Sequence, residues 1–280
     1  MPTLVEFYLD AGADGLTILG VLGEAPKLTT DEAVRFVAAV VDAVAGRVPV
    51  VVGVSSIGLA TLVQLARASM DAGAAGVMVA PPSSLRTDDQ VFDYFRMVAD
   101  ALGDVPFALQ DHPQSTGVQM SLAVLLRILK AIPTCVMIKH EDWPGLQKLD
   151  GLRAASDRGD VRRVSILGGN GALFLPEELQ RGSDGAMTGF AYPEMMVGIC
   201  RAHAAGDRTR VADLFDAYLP LARYEQQPGI GLAIRKHTLA NRRAIASAAL
   251  RRPGPKLTAR EVDDVAWLVA RQTTALAAIA

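Results

Sequence analysis

Apolar and polar positions follow one recurring pattern along most of this chain. A short apolar run ends in glycine or a polar residue, and a longer stretch with helical spacing follows. The runs are Thr17-Ile18-Leu19-Gly20, Val50-Val51-Val52-Gly53, Val77-Met78-Val79-Ala80, Phe107-Ala108-Leu109-Gln110, Val136-Met137-Ile138-Lys139, Ser165-Ile166-Leu167-Gly168 and Ala186-Met187-Thr188-Gly189. Each is too short for a helix and too continuous for a strand with a wet face. Such runs read as strands buried on both sides. From first residue to first residue the gaps are 33, 27, 30, 29, 29 and 21. That is the length of a strand plus a crossover helix, so neighbouring strands should run parallel.

Helical segments fill the gaps. Thr30-Asp31-Glu32 opens one, with an acidic first turn, through about residue 45. Others are predicted at 59–72, ending at Gly73, at 87–102, stopped by Gly103, and at 121–131, closed by Pro133. From Pro193 onward only helical patterns remain, at about 194–205, 207–224, 229–243 and 258–277, punctuated by Pro220, Pro228, Pro253 and Pro255. Seven evenly spaced strand–helix units fit either a doubly wound sheet or a (β/α)₈ TIM barrel. A dinucleotide-binding sheet needs Gly-x-Gly-x-x-Gly after its first strand, and Gly20-Val21-Leu22-Gly23-Glu24 does not match. The spacing therefore predicts an α/β TIM barrel over residues 1–205 and a C-terminal helical region over 206–280. The stretch Leu4 to Ala11 reads as a helix with no strand before it. A closed barrel needs eight strands, so the first is expected to come from upstream of this sequence or from another segment.

Composition narrows the class. Of 280 residues, half are hydrophobic, and the formal charge is −2. That is ample material for a core, with no basic patch to suggest nucleic acid or an anionic membrane as partner. The two cysteines, Cys135 and Cys200, have neither metal-ligand spacing nor a disulfide framework. No apolar run is long enough to span a bilayer and no leader is evident. The expectation is a cytoplasmic protein with no metal.

The candidate chemistry lies in Cys135-Val136-Met137-Ile138-Lys139-His140-Glu141-Asp142. A lysine at the end of a buried strand is carried to the rim of a packed core. There partial desolvation favours the neutral amine, which can attack a ketone and form a Schiff base. The plain alternative is a strand-ending lysine in water. Of the three ionisable residues that follow, one is expected at the site and the others at the surface. Ser55 and Ser56, after Gly53, read as helix caps.

Gly20-Val21-Leu22-Gly23-Glu24-Ala25-Pro26-Lys27-Leu28, taken with Val136-Met137-Ile138-Lys139, resembles the dihydrodipicolinate synthase / N-acetylneuraminate lyase family. Gly12-Ala13-Asp14-Gly15-Leu16, Ala72 to Pro82, Gly168-Gly169-Asn170 and Gly182-Ser183-Asp184-Gly185-Ala186 agree in order and spacing. The resemblance spans roughly residues 4–225. It implies a (β/α)₈ barrel with C-terminal helices, and a class I aldolase-type lyase. It also implies a Lys139 Schiff base with pyruvate or another 2-oxo acid, no cofactor, and a homo-oligomer, dimer or tetramer. Substrate contacts are expected from Gly20, Val21, Leu22, Gly23, Glu24, Gly168, Gly169, Asn170 and Met187. The departures are specific. The family's Gly-Thr-Thr-Gly-Glu has lost both hydroxyls here. Its Tyr-Asn-x-Pro reads Gln110-Asp111-His112-Pro113, so Gln110 holds the position of the catalytic tyrosine. The synthases' second tyrosine falls near Pro82-Ser83, and their substrate arginine aligns with Ser115. These losses argue against authentic dihydrodipicolinate synthase. They leave open a lyase on another 2-oxo acid, or a catalytically impaired barrel serving as a binding or assembly protein. Gln110 cannot exchange a proton usefully. His112 is two residues along, on the same face of a strand, and is the expected acid–base group, with Glu141 in reserve.

Overall fold

A computed structural model describes residues 2–143 and 145–280. It contains seven strands: β1 (Leu16–Ile18), β2 (Val50–Gly53), β3 (Gly76–Val79), β4 (Phe107–Asp111), β5 (Cys135–His140), β6 (Ser165–Gly168) and β7 (Gly185–Ala186). Every neighbouring pair is parallel and the spatial order is the sequence order. The expected strand positions hold to within a residue at β2 through β6. The first strand stops two residues early, because Leu19 turns to a φ of 53°. The last starts one residue early and is only two residues long. Among the described residues no ladder joins β7 to β1.

Helix α1 (Pro2–Asp10) precedes the strands; α2 (Thr30–Val44), α3 (Leu59–Asp71), α4 (Asp88–Leu102), α5 (Pro113–Thr116), α6 (Leu122–Ala131), α7 (Leu146–Asp157) and α8 (Leu175–Gln180) lie between them in sequence; α9 (Pro193–Ala204), α10 (Arg208–Glu225), α11 (Gly231–Asn241) and α12 (Ala259–Ala278) follow. Their starts follow from local chemistry. Thr29, Thr87 and Thr258 each close a capping box with a Glu or Gln three residues on. Ser121 caps α6. The expected capping role of Ser55 and Ser56 does not hold: Gly58 occupies the N-cap of α3, and Ser55 Oγ instead accepts from Ala80 N–H at 2.8 Å. Pro220 lies inside α10 and does not end it.

Contacts divide the chain into two compact units. One holds residues 15–169 and 180–187, with all seven strands; the other holds the N-terminal stretch to Asp14, Asn170–Leu179 and Thr188–Ala280. In the strand-bearing unit, Met78 (β3), Ala108 (β4) and Met187 (just past β7) form one buried cluster, with Val51, Met137 and Leu167 packed against it. Three strand spacings separate β4 from β7, roughly 14 Å in a flat sheet. Met187 therefore joins this cluster only because the sheet curls around it. The outer face is equally apolar: Val52, Val77, Leu109, Ile138 and Ile166 are buried under the crossover helices.

Strand β5 departs from uniform burial. Val136 is 45% exposed. The ladder pairs Phe107 with Cys135 but Ala108 with Met137, so Val136 is the extra residue of a β-bulge. Beyond it the register is regular: Gln110 opposes Lys139, and Lys139 opposes Leu167. In-register neighbours share a face, so Gln110 and Lys139 stand one pleat above the Ala108–Met137 pair, on the concave side.

Candidate active site

Four side chains meet above the concave core. Glu141 Oε2 accepts from Gln110 Nε2 at 2.6 Å and pairs with Lys139 Nζ at 3.1 Å. His112 Nδ1 lies 3.8 Å from the same oxygen. It is buried and has no hydrogen-bond partner. The backbone fixes this meeting. Gln110 and Lys139 are in register, His112 and Glu141 follow each by two residues, and Glu141 N–H donates to Asp111 C=O at 2.8 Å. Gly169 makes the room: a Cβ there would overlap Glu141 Cγ. All four side chains are largely withdrawn from water, Lys139 being 8% and Glu141 5% exposed. Burial pushes the His112 imidazole below its usual range; Glu141 opposes this, Lys139 adds to it, and Asp111 opposes it. His112 is therefore neutral near pH 7.

The intervening residues face the other way. Asp111 and His140 oppose each other on the outer side, where Asp111 Oδ2 meets Lys148 Nζ of α7 at 2.9 Å. Of His140, Glu141 and Asp142 one is expected at the site and two at the surface; Glu141 is the one at the site, but His140 is not at the surface, being 2% exposed with its Nε2 2.9 Å from Gly145 C=O. The sequence reading missed this because it did not place α7, the helix that covers that face. Asp142 also pairs with Lys148, at 2.7 Å. Lys148 carried no signal in the sequence, since its role exists only once α7 is docked.

The remaining candidates sit as follows. Gly20 to Glu24 form a 3-10 turn after β1, in which Gly23 and Glu24 N–H donate to Gly20 and Val21 C=O. That leaves the N–H groups of Val21 and Leu22 outside the turn's own ladder. Both side chains are exposed. Gly20 lies against Met78 Cε, on the concave face. Glu24 is buried at a φ of 56° and bonds Lys27. Gly168 ends β6, and its C=O accepts from Met187 N–H at 2.8 Å. Gly169 N–H is taken by His140 C=O at 3.0 Å, which leaves that donor engaged. Asn170, at a φ of 49°, opens the turn Asn170–Ala172 of the second unit. Met187 belongs to the core cluster. Among the described residues no group of His, Cys, Asp and Glu is placed to hold a metal ion, and no helix is long and apolar enough to cross a membrane.

Comparisons with known proteins match the chain along most of its length. The profile of the dihydrodipicolinate synthetase family matches residues 1–272. An L-2-keto-3-deoxyarabonate dehydratase from Azospirillum brasilense is 32% identical over 257 residues, which covers 90% of this chain and 81% of that one. A 4-hydroxy-tetrahydrodipicolinate synthase from Sorangium cellulosum is 32% identical over 210 residues, 74% of this chain and 67% of its own. Among solved structures, a dihydrodipicolinate synthase from Rhodopseudomonas palustris superposes with a TM-score of 0.94 at 48% identity, covering 96% of this chain and 90% of that one. The fold is also that of a prophage protein from E. coli K12 solved with pyruvate, at a TM-score of 0.87 and 22% identity, covering 97% of this chain and 91% of that one. With a strand-end lysine, a matching sheet and a whole-chain family match, the protein is a class I aldolase-type lyase of the dihydrodipicolinate synthetase family.

Proposed function

We propose that this enzyme forms a Schiff base between Lys139 and a 2-oxo acid and removes water from a 2-oxo-3-deoxy acid bearing a hydroxyl at C4. The observation that carries this reading is Glu141 Oε2 at 3.1 Å from Lys139 Nζ, with Gln110 where the family has its tyrosine. Once the neutral amine has attacked C2 and water has left, Nζ is the imine nitrogen. C3 lies two bonds from Nζ, and its protons, acidified by the imine, are within reach of a carboxylate already beside that nitrogen. Glu141 takes a C3 proton, and the electron pair forms the enamine. The enamine then expels the C4 hydroxyl, which accepts a proton on leaving. The balance is one hydrogen from C3 and one hydroxyl from C4, lost as water. Cleavage of the C3–C4 bond would instead need a base on the C4 hydroxyl, the task of a tyrosine that Gln110 cannot perform. Gln110 donates to Glu141 and holds it. His112, beside the same oxygen, exchanges protons with it. The dehydratase name of the Azospirillum brasilense relative supports the same chemistry. The N–H groups of Val21 and Leu22, outside the turn's own ladder, suit the substrate carboxylate, with Gly168 at the end of β6. The chain acts as a homo-oligomer in the cytoplasm without a cofactor; light scattering reporting only a 29.6 kDa species would count against the first.

The test joins trapping to product analysis. Pyruvate and borohydride should add mass at Lys139, and Lys139→Ala should abolish the adduct. Given a 2-oxo-3-deoxy acid, the enzyme should release a product lighter by one water. Pyruvate plus an aldehyde would overturn the dehydration, and absence of any adduct would overturn the Schiff base. Glu141→Gln should slow turnover by about 10²–10⁴-fold while trapping persists.

A further inference from the structure

We propose that Lys148 is a positioning residue of this site: from α7, on the far side of the sheet from the chemistry, one ammonium ties together the two strand ends that carry all four reactive side chains. Its Nζ donates to Asp111 Oδ2 at 2.9 Å and reaches Asp142 Oδ2 at 2.7 Å. Asp111 lies between Gln110 and His112 on β4. Asp142 directly follows Glu141 at the end of β5. The same two ends are stitched once more by Glu141 N–H to Asp111 C=O. The tie is buried where it matters: Asp111 is fully withdrawn from water and the Lys148 side chain is 11% exposed. Nothing in the imine chemistry uses these groups, so their burial needs another reason. Burial opposes ionisation of Asp142; the bond to Lys148 and its charge outweigh this, and the carboxyl is held below its usual range. Asp142 Oδ1 also accepts from Trp143 N–H at 2.9 Å, which fixes the turn out of β5.

Two consequences follow. The first is geometric. Glu141 and His112 meet at one oxygen because the ends of β4 and β5 cannot slide, and displacement by about 1 Å costs on the order of 10²-fold in rate. The second is electrostatic. His112 is faced by Glu141 and Lys139 from β5 and by Asp111 from its own strand, and Lys148 compensates Asp111 and Asp142. Without that cation the uncompensated carboxylates favour protonated His112, so its titration moves up.

The kinetic arm rests on the lyase reading; the titration arm does not. Histidine ring resonances should be followed against pH in the wild-type chain, in Lys148→Met and in Lys148→Arg, with His112 assigned by loss of its signal in His112→Asn. Lys148→Met should raise the His112 midpoint, and Lys148→Arg should restore it. An unmoved midpoint in Lys148→Met overturns the proposal even if the chain has no activity. In turnover, Lys148→Met should lose about tenfold to a hundredfold in kcat with little change in KM, while borohydride still labels Lys139. Because Lys148→Met leaves a buried carboxylate unpaired, a Lys148→Met/Asp111→Asn pair removes the fold penalty without restoring the tie. It should remain slow, and a pair as fast as the wild type overturns the proposal. Absence of the wild-type adduct, by contrast, would count only against the lyase reading.

Discussion

At the scale of single residues, one carboxylate does the organising. Glu141 Oε2 is shared by an ammonium, an amide and an imidazole, in a space that exists because residue 169 has no side chain. The pH response follows from the weakest of these contacts. His112 is held neutral by burial, so in the folded protein it takes up a proton only below the ordinary histidine value. On the acid side kcat/KM should therefore fall as His112 protonates and loses its ability to take a proton from Glu141. His112→Asn should remove that limb, whatever it does to the plateau; a limb that survives unchanged belongs to another group. Stability follows the same sign. The unfolded chain binds this proton near pH 6.5 and the native chain only lower, so the contribution of neutral His112 is present above about 6.5 and is lost as pH falls below it.

At the scale of elements, the sheet depends on places where backbone meets backbone. A Cβ on Gly53 would overlap the carbonyl oxygen of Leu19, where β1 ends and the 3-10 turn begins. Gly53→Ala should cost about 1–3 kcal/mol, measured as a drop in the urea midpoint with an unchanged slope. The strands themselves were readable because parallel strands covered on both faces must be apolar throughout. Counting by twos along them also put Gln110 with His112. What could not be read was the outer face. Helix α7 carries Gly151, tucked against Leu122, in the middle of a weakly patterned stretch, and so it went unplaced. Without it nothing in the sequence shows that His140 is covered or that Lys148 has a partner.

At the scale of the whole molecule, each compact unit contains its own buried charge. In the unit without strands, Glu225 and Arg235 pair at 2.5 Å with both side chains almost wholly covered, and Glu225 Oε2 also accepts from Ala191 N–H at 3.2 Å. Burial raises the Glu225 carboxyl even against Arg235, so the pair is costly to split. Arg235→Met should destabilise by about 3–5 kcal/mol, whereas Arg235→Met with Glu225→Gln should recover most of that loss; equal losses in the single and double variants would show that the cation contributes shape and not charge. Nothing in the sequence pairs residues 225 and 235, because the contact is made by two helices whose relative docking the hydrophobic pattern does not encode. The aromatic group of Phe190, Tyr192 and Tyr218 escaped notice for the same reason.

The extra residue at Val136 makes the face that Lys139 presents a matter of parity. Were the β4–β5 ladder unbroken from Phe107 and Cys135, Lys139 would oppose Asp111 and face the helices, and His140 would be turned toward the concave side. One odd residue upstream reverses that assignment for everything after it. In this strand, then, a single inserted or deleted position is a switch between two proteins that differ by one residue and have nearly the same core, one presenting an amine on the concave face and one an imidazole. Relatives that keep the lysine but differ by one residue in this strand therefore need not share its chemistry, however high their identity.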